Sequence, residues 1–153
     1  HRPSNVDDKE RLCEIIEGFR LISHETPLVF PLHPRTAERL EYFGLLGRLN
    51  GIECLGPIGY TEMLSLVKDA AVVMTDSGGL QEETTVLGVP CVTLRETTER
   101  PITVEQGTNQ LVPSEREAVV AAARERFGAV RDGAGIELWD GRAAERLADS
   151  LTA

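Results

Sequence analysis

The stretch Thr75-Asp76-Ser77-Gly78-Gly79-Leu80-Gln81-Glu82-Glu83, set between the apolar runs 70–74 and 90–94, most constrains how this chain can fold. It reads as strand, glycine turn, helix, strand, the unit from which open parallel sheets are built. Two glycines let the backbone approach a ligand closely, and the helix that follows presents unpaired N–H groups and a positive dipole end of about half a charge. Such a turn binds an anion. Ser77 adds a hydroxyl at its mouth, and Glu83, four residues after Gly79, lies on the same helix face one turn in. A carboxylate there can accept two hydrogen bonds from a vicinal diol such as ribose. The combination points to a nucleoside diphosphate. The plain alternative is a βα turn whose acidic residues only favour the helix dipole.

The rest of the chain alternates in the same way. Asn5 or Asp7 can cap a helix whose buried stripe is Leu12, Ile15, Ile16, Phe19 and Ile22. Residues 28–32 form a short strand closed by prolines, 36–43 a helix ended by Gly44, and 52–55 another strand before Gly56-Pro57. Residues 60–68 are helical, with Met63, Leu64 and Val67 inward, and lead into strand 70–74. This repetition predicts an α/β fold: a doubly wound, mostly parallel, Rossmann-like sheet with helices on both faces. Ligands in that architecture bind beyond the carboxyl ends of the strands, where the Ser77 turn and the segment after residue 94 both fall. The tail returns to helix at 115–127 and 142–151, with Gly128, Gly133, Gly135 and Gly141 breaking the region between. Leu138 and Trp139 fit either a surface left exposed for another domain or a local core contact.

Residues 95–112 are polar and follow neither a helical nor a strand period, so they read as one long loop. Arg95 and Arg100, close to the anion-binding turn, can neutralise a diphosphate through forked hydrogen bonds, with Glu99 holding one of them. The alternative is a solvated loop with weak local ion pairs.

A length of 153 residues, 41% hydrophobic and 27% charged, suits a single domain. The formal net charge of −9 argues against general nucleic-acid binding, which needs a basic face to release counterions. No apolar run approaches the roughly 20 residues that cross a bilayer, and the start shows no signal-peptide pattern. Cys13, Cys54 and Cys91 are odd in number, far apart and set in apolar neighbourhoods. They read as reduced thiols at or near the core of a cytoplasmic protein, not as metal ligands. His24 at a helix end reads as a dipole or surface residue, while His33, after a strand, fits either turn chemistry with Pro34 or a site.

Taken in order, the run 75–83, then Gly88-Val89-Pro90, then 95–101, then Glu105-Gln106-Gly107-Thr108-Asn109 with Leu111-Val112, resembles the carboxyl-terminal signature of the non-hydrolysing UDP-N-acetylglucosamine 2-epimerases. His1-Arg2 with Asn5 resembles the His-Arg motif near the start of that family's second domain, and Phe30-Pro31-Leu32-His33-Pro34 resembles its next strand end. The glycine turn alone is a weak signal, but SGG-x-QEE followed by TERP and E-x-GT is specific. The likeness runs from residue 1 to about residue 112.

The resemblance implies a two-domain protein of the GT-B type, with two Rossmann-like halves and the substrate in the cleft between them. Residues 1–153 would be the carboxyl-terminal, UDP-binding half, and a chain starting at a histidine inside a motif fits a piece of such a protein. It also implies inversion at C2 of the sugar, interconverting UDP-N-acetylglucosamine and UDP-N-acetylmannosamine without a cofactor. UDP is eliminated to leave a glycal and is added back after protonation on the other face. The acid and base carboxylates belong to the absent amino-terminal half, so this chain alone is expected to be inactive. His1 matches the family's active-site histidine. Tyr60 and Met63 fall in the segment beside the uracil base, the alternative being that they only pack helix on sheet. Ser77, Gly78, Gly79, Glu83, Arg95 and Arg100 would grip UDP and retain it while the intermediate exists. The implied partners are the UDP-sugar, the amino-terminal half and, for the full-length protein, a second copy.

The resemblance breaks in two places. Many bacterial members carry a second arginine after His-Arg and a His-Leu-Asn at the later strand end, positions linked to an allosteric substrate site. Here stand Pro3 and His33-Pro34-Arg35. Proline offers a phosphate neither charge nor a backbone N–H, so substrate activation is not carried over. Other readings stay open: an epimerase of another UDP-linked 2-acetamido sugar, a hydrolysing relative, the nucleotide-binding half of a GT-B glycosyltransferase, and a non-enzymatic nucleotide-binding module.

Overall fold

The computed structural model describes residues 1–129 and 135–152, so the predicted break at Gly133 lies outside the described residues. The chain runs through α1 (Pro3–Val6), α2 (Lys9–Ser23), β1 (Val29–Pro31), α3 (Pro34–Tyr42), β2 (Glu53–Leu55), α4 (Tyr60–Asp69) and β3 (Val73–Thr75). It continues through α5 (Gly78–Leu87), β4 (Cys91–Leu94), α6 (Pro101–Glu105), β5 (Asn109–Val112), α7 (Arg116–Arg126) and α8 (Ala143–Thr152). Pairing is parallel between β1 and β2, β3 and β4, and β4 and β5. Parallel neighbours need crossovers, and α3, α5 and α6 supply them. Helix packing falls into two sets, α2 against α7, and α4 and α6 against α5. The doubly wound parallel α/β fold read from the alternation is therefore present, with one departure. The strands form two hydrogen-bonded sheets, β1-β2 and β3-β4-β5, and among the described residues no ladder joins β1 to β3.

Helix α2 starts at Asp8, whose carboxylate accepts a hydrogen bond from the Arg11 N–H at 2.9 Å. The cap is thus neither Asn5 nor Asp7. Asp7 is drawn instead to Arg35 and Arg39 of α3, at 2.6 and 3.0 Å, and Asn5 is buried. The predicted stripe Leu12, Ile15, Ile16, Phe19 and Ile22 is buried in full and joins Val92, Leu94, Val119 and Val120 in one core. Burial of side chains of this kind is worth about 1.5–3 kcal/mol each. In α4, Val67 is buried while Met63 and Leu64 are half-buried.

The segment read as one loop is not a loop. Residues 101–105 are α6 and 109–112 are β5, and polar side chains occupy the buried positions from which an apolar period would be read. Gln81 is fully buried at 0% exposure. Its Oε1 accepts from Thr98 Oγ1 at 2.6 Å and Asn109 Nδ2 at 3.1 Å, and its Nε2 donates to the Ser77 carbonyl at 3.2 Å. Asn109 Oδ1 accepts from Thr93 Oγ1 at 2.6 Å, and its Nδ2 also reaches Thr103 Oγ1 at 3.1 Å. Gly107 closes this corner. A Cβ there would lie 2.5 Å from the Thr103 carbonyl and 2.6 Å from Thr85 Oγ1. The QEE and E-x-GT elements therefore owe much of their pattern to a buried polar joint.

A second joint ties the amino end to the strand ends. Asp76 Oδ2 accepts from the His1 α-amino group at 2.7 Å, the Arg2 N–H at 2.8 Å and Asn5 Nδ2 at 3.3 Å. Asn5 Nδ2 also donates to the Leu94 carbonyl at 3.0 Å, and Asn5 Oδ1 accepts from Ser114 Oγ at 3.0 Å. Burial pushes the Asp76 carboxyl up, but the hydrogen bonds from the His1 amino group, the Arg2 N–H and Asn5 outweigh it, and the group lies below the ordinary carboxylate value.

Cys91 is buried and Cys13 half-buried, but Cys54 is exposed, contrary to its apolar setting in the sequence. It sits on β2, which pairs with β1 alone. Helix α7 buries Val119, Val120, Ala122 and Ala123, whereas α8 buries nothing and leaves Leu147 and Leu151 62% and 79% exposed. Leu138 is exposed and Trp139 half-buried. No helix of the described residues is long and apolar enough to cross a membrane.

Two outcomes are expected. Asn109→Leu, which takes the Thr93 hydroxyl's oxygen acceptor and one partner each from Gln81 and Thr103, lowers the free energy of urea unfolding by about 1–3 kcal/mol, and Gly107→Ala by about 1–3 kcal/mol. The Asp76 joint contributes stability above the unfolded carboxylate pKa of about 3.9 and loses it as pH falls through the lower folded value. Thermal unfolding followed from pH 6 to about 2 should therefore decline more steeply for the native chain than for Asp76→Asn.

Candidate functional site

Residues at the carboxyl ends of β1 and β3 line one end of a cavity of about 960 Å³. The Ser77 turn forms one wall. Thr75 Oγ1 accepts from the Ser77 N–H at 3.0 Å, and Gln81 holds the Ser77 carbonyl from below. Ser77 takes the N-cap position of α5 with extended backbone and makes no side-chain cap bond. Its hydroxyl and the first N–H groups of the helix are left for a ligand.

Cations gather around this wall, and each is held by a carboxylate. Arg2 Nη2 lies 3.9 Å from where a Cβ on Gly78 would stand, and the same nitrogen is 3.2 Å from Glu99 Oε1. Arg95 Nη1 reaches the other oxygen of Glu99 at 2.6 Å. Hydrogen bonding to Arg95 is the main cause that draws the Glu99 carboxyl down to about 2. Arg100 Nε lies 2.9 Å from Glu82 Oε1, in the second turn of α5. At the opposite wall the His1 ring stacks on His33, centroids 4.3 Å apart and planes 16° from parallel.

Of the residues singled out in the sequence, His1, Met63, Ser77, Gly79 and Glu83 line the cavity, and Gly78 begins α5 between them. Tyr60 does not line it. It opens α4 with 67% of its surface exposed, while Ile58 and Met63 face the cavity from the same segment. Arg95 and Arg100 also stand outside the lining, one step back in their ion pairs; Arg95 borders a smaller hollow of about 210 Å³ with Arg11 and Ser114.

Sequence reasoning gave no individual role to Arg2 or Asp76. The signal available was chemical: an acidic residue directly before an anion-binding turn opposes the ligand unless it is itself paired. Asp76 is paired, and the pairing is what carries Arg2 to Gly78. Among the described residues no group of three or more His, Cys, Asp or Glu side chains converges as a metal site requires. The arrangement can bind a diphosphate at the turn and offer a carboxylate to a diol one helical turn away.

Known proteins match this chain and its fold. The family model described as UDP-N-acetylglucosamine 2-epimerase matches residues 1–152. The UDP-N-acetylglucosamine 2-epimerase of Methanocaldococcus jannaschii is 43% identical over 157 residues, covering 99% of this chain and 43% of the relative. The UDP-2,3-diacetamido-2,3-dideoxy-D-glucuronate 2-epimerase of Pseudomonas aeruginosa is 40% identical over 152 residues, covering 99% of this chain and 42% of the relative. A crystal structure of the M. jannaschii enzyme in complex with UDP-GlcNAc and UDP matches with a TM-score of 0.85 at 41% identity, over 99% of this chain and 43% of that one. The chain thus spans less than half the length of these relatives. On sequence and structure together, it belongs to the UDP-N-acetylglucosamine 2-epimerase family.

Proposed function

We propose that this chain is the UDP-binding half of a nucleotide-sugar 2-epimerase, and that it holds UDP as leaving group while the other half works on the sugar. The observation that carries the reading is the Ser77 turn, with an uncapped helix start, Glu83 one turn in, and three guanidinium groups around it. The diphosphate sits on the N–H groups of α5, with Arg2 as its nearest cation and Arg95 and Arg100 behind. Glu83 accepts from the ribose hydroxyls, and Ile58 and Met63 flank the base.

The chemistry is an elimination and its reversal. The proton leaves C2, the C1–O bond to UDP breaks, and a glycal forms; UDP then adds back to C1 as C2 takes a proton on the opposite face. A leaving group that must return has to be held, and that is the task of the Ser77 turn. Proton transfer needs a carboxylate or imidazole at C2. Asp76 accepts hydrogen bonds from the Arg2 N–H and Asn5 Nδ2, Glu82 and Glu99 are paired with arginines, and Glu83 is given to the ribose. The acid and base carboxylates therefore come from the other half, His1 and His33 being the imidazoles that this chain brings to the cavity, and the chain alone is expected to leave C2 unchanged. The exposed Leu147 and Leu151 of α8 suit an element that the other half covers. Relatives that act on different UDP-linked 2-acetamido sugars are about equally similar to this chain, at 43% and 40% identity, so the reading extends to that class of sugar and not to one member.

Calorimetric titration of the full-length parent with UDP tests the grip. Glu83→Ala is expected to weaken UDP about 10- to 100-fold, and Arg2→Ala to weaken UDP more than UMP, which lacks the second phosphate. Unchanged UDP affinity in Glu83→Ala removes the ribose assignment. For the chemistry, the 153-residue chain incubated with UDP-N-acetylglucosamine in D₂O should yield no C2-deuterated sugar, while the full-length parent should. Exchange by the chain alone would place the acid and base within it.

A further inference from the structure

Arg95 lies deeper than its one ion pair accounts for. Its side chain is 15% exposed, the least of the ion-paired arginines among the described residues. Nη1 donates to Glu99 Oε2 at 2.6 Å, whereas Nε and Nη2 have no partner among the described residues. A largely buried donor left unengaged calls for water or an ion to complete it. Arg95 does not line the large cavity. It lines the separate hollow of about 210 Å³.

A second guanidinium borders the same hollow. Arg11, in the first turn of α2, has its Nη2 3.6 Å from Glu96 Oε1, too far for a hydrogen bond, and its guanidinium has no other partner among the described residues. The exposed Ser4 and Thr97 also line the hollow, and their hydroxyls are likewise unengaged among the described residues. Asn5 and Ser114 close it from the buried side, bonded to each other at 3.0 Å and to the Leu94 carbonyl at 3.0 and 3.4 Å. The hollow thus gathers two guanidiniums and two free hydroxyls against the single carboxylate of Glu96. We propose that it binds a small oxyanion, a phosphate or a carboxylate, between Arg11 and Arg95, with Ser4 and Thr97 donating to it. Its volume sets the size of the ligand: sites for larger molecules begin at about 300 Å³, so an ion with a few waters fits and a nucleotide does not. Neither Pro3 nor His33 lines it, so it is distinct from the positions that the resemblance links to an allosteric substrate site.

Glu99 joins the hollow to the Ser77 turn. One of its oxygens meets Arg95, and the other lies 3.2 Å from Nη2 of Arg2, the nitrogen that stands beside Gly78. An oxyanion on Arg95 competes with Glu99 for that guanidinium, and a released Glu99 holds Arg2 more firmly against an incoming phosphate. The two anions also repel each other directly. Oxyanion and UDP therefore oppose one another, and by linkage each weakens the other by the same factor. This coupling rests on the UDP reading, whereas the oxyanion site itself does not.

Crystals of the full-length parent without nucleotide, soaked in selenate, test the site directly, because selenate is tetrahedral like phosphate and its selenium is located by anomalous scattering. The expected result is a selenium peak between Arg11 and Arg95, clear of lattice contacts, that is lost in Arg11→Gln. A peak at the Ser77 turn alone would uphold the UDP grip and overturn this site. A peak in the hollow that persists in Arg11→Gln would mark an adventitious ion only, and a hollow holding ordered water or a side chain of the other half would overturn the proposal as well. Calorimetry with UDP tests the coupling, with chloride replaced by phosphate or by acetate at constant ionic strength. At least one of the two anions is expected to weaken UDP about 2- to 10-fold, with a smaller effect in Arg11→Gln, and the one that acts tells phosphate from carboxylate. Equal effects in the native protein and in Arg11→Gln would mean that the anion competes at the Ser77 turn alone, and the coupling fails. If UDP does not bind at all, the UDP reading fails and the soak by itself decides the site.

Discussion

A buried amide sets the geometry of the site. Gln81 has no exposed surface, and a primary amide in that position must find partners for both ends or destabilise the fold by the full desolvation penalty. It finds them in Thr98, Asn109 and the Ser77 carbonyl, three separate segments that meet at one side chain. Asn109 extends the joint to Thr93 on β4 and Thr103 on α6, and Gly107 allows α6 to come within contact of Thr85. Because every member is satisfied, the joint specifies one arrangement. It places the anion-binding N–H groups of α5 and the Arg95–Arg100 segment on the same scaffold, so the turn is rigid before any ligand arrives.

For an acidic chain to bind a diphosphate, its carboxylates must be kept from opposing the ligand, and here Asp76, Glu82 and Glu99 are each engaged within the fold. Asp76 is held by His1, Arg2 and Asn5, Glu99 by Arg2 and Arg95, and Glu82 by Arg100. The same pairs hold the guanidiniums in place. A phosphate arriving at Gly78 exchanges a carboxylate partner for a stronger anion and leaves the arginines where they already stand. The net charge of −9 therefore coexists with a locally cationic turn.

How much was legible in the sequence follows from what kind of residue carried each signal. The α2 stripe was readable because apolar residues sit at three- and four-residue spacing on a buried face. The turn was readable because glycine pairs between apolar runs have few other uses. The region 95–112 was misread because Thr103 and Asn109 fill core positions that apolar residues usually mark, so no period appeared. The cap of α2 was missed by a single residue, since Asp7 and Asp8 are equivalent by propensity and only the arginines of α3 distinguish them. Tyr60 was a reasonable wall for a base by type, but at the first position of α4 its ring stays in solvent while Ile58 and Met63 turn inward. Arg2 and Asp76 needed the fold itself, because 74 residues separate the two in sequence.

The central claim is that the start of α5 holds the diphosphate and that Glu83 holds the ribose. A crystal structure of the full-length parent with UDP tests it most directly. The account predicts phosphate oxygens about 3 Å from the first N–H groups of α5 and from the Arg2 guanidinium, with Glu83 at a similar distance from the ribose hydroxyls. UDP bound with its phosphates away from the Ser77 turn, or with Glu83 out of reach of the ribose, would contradict it.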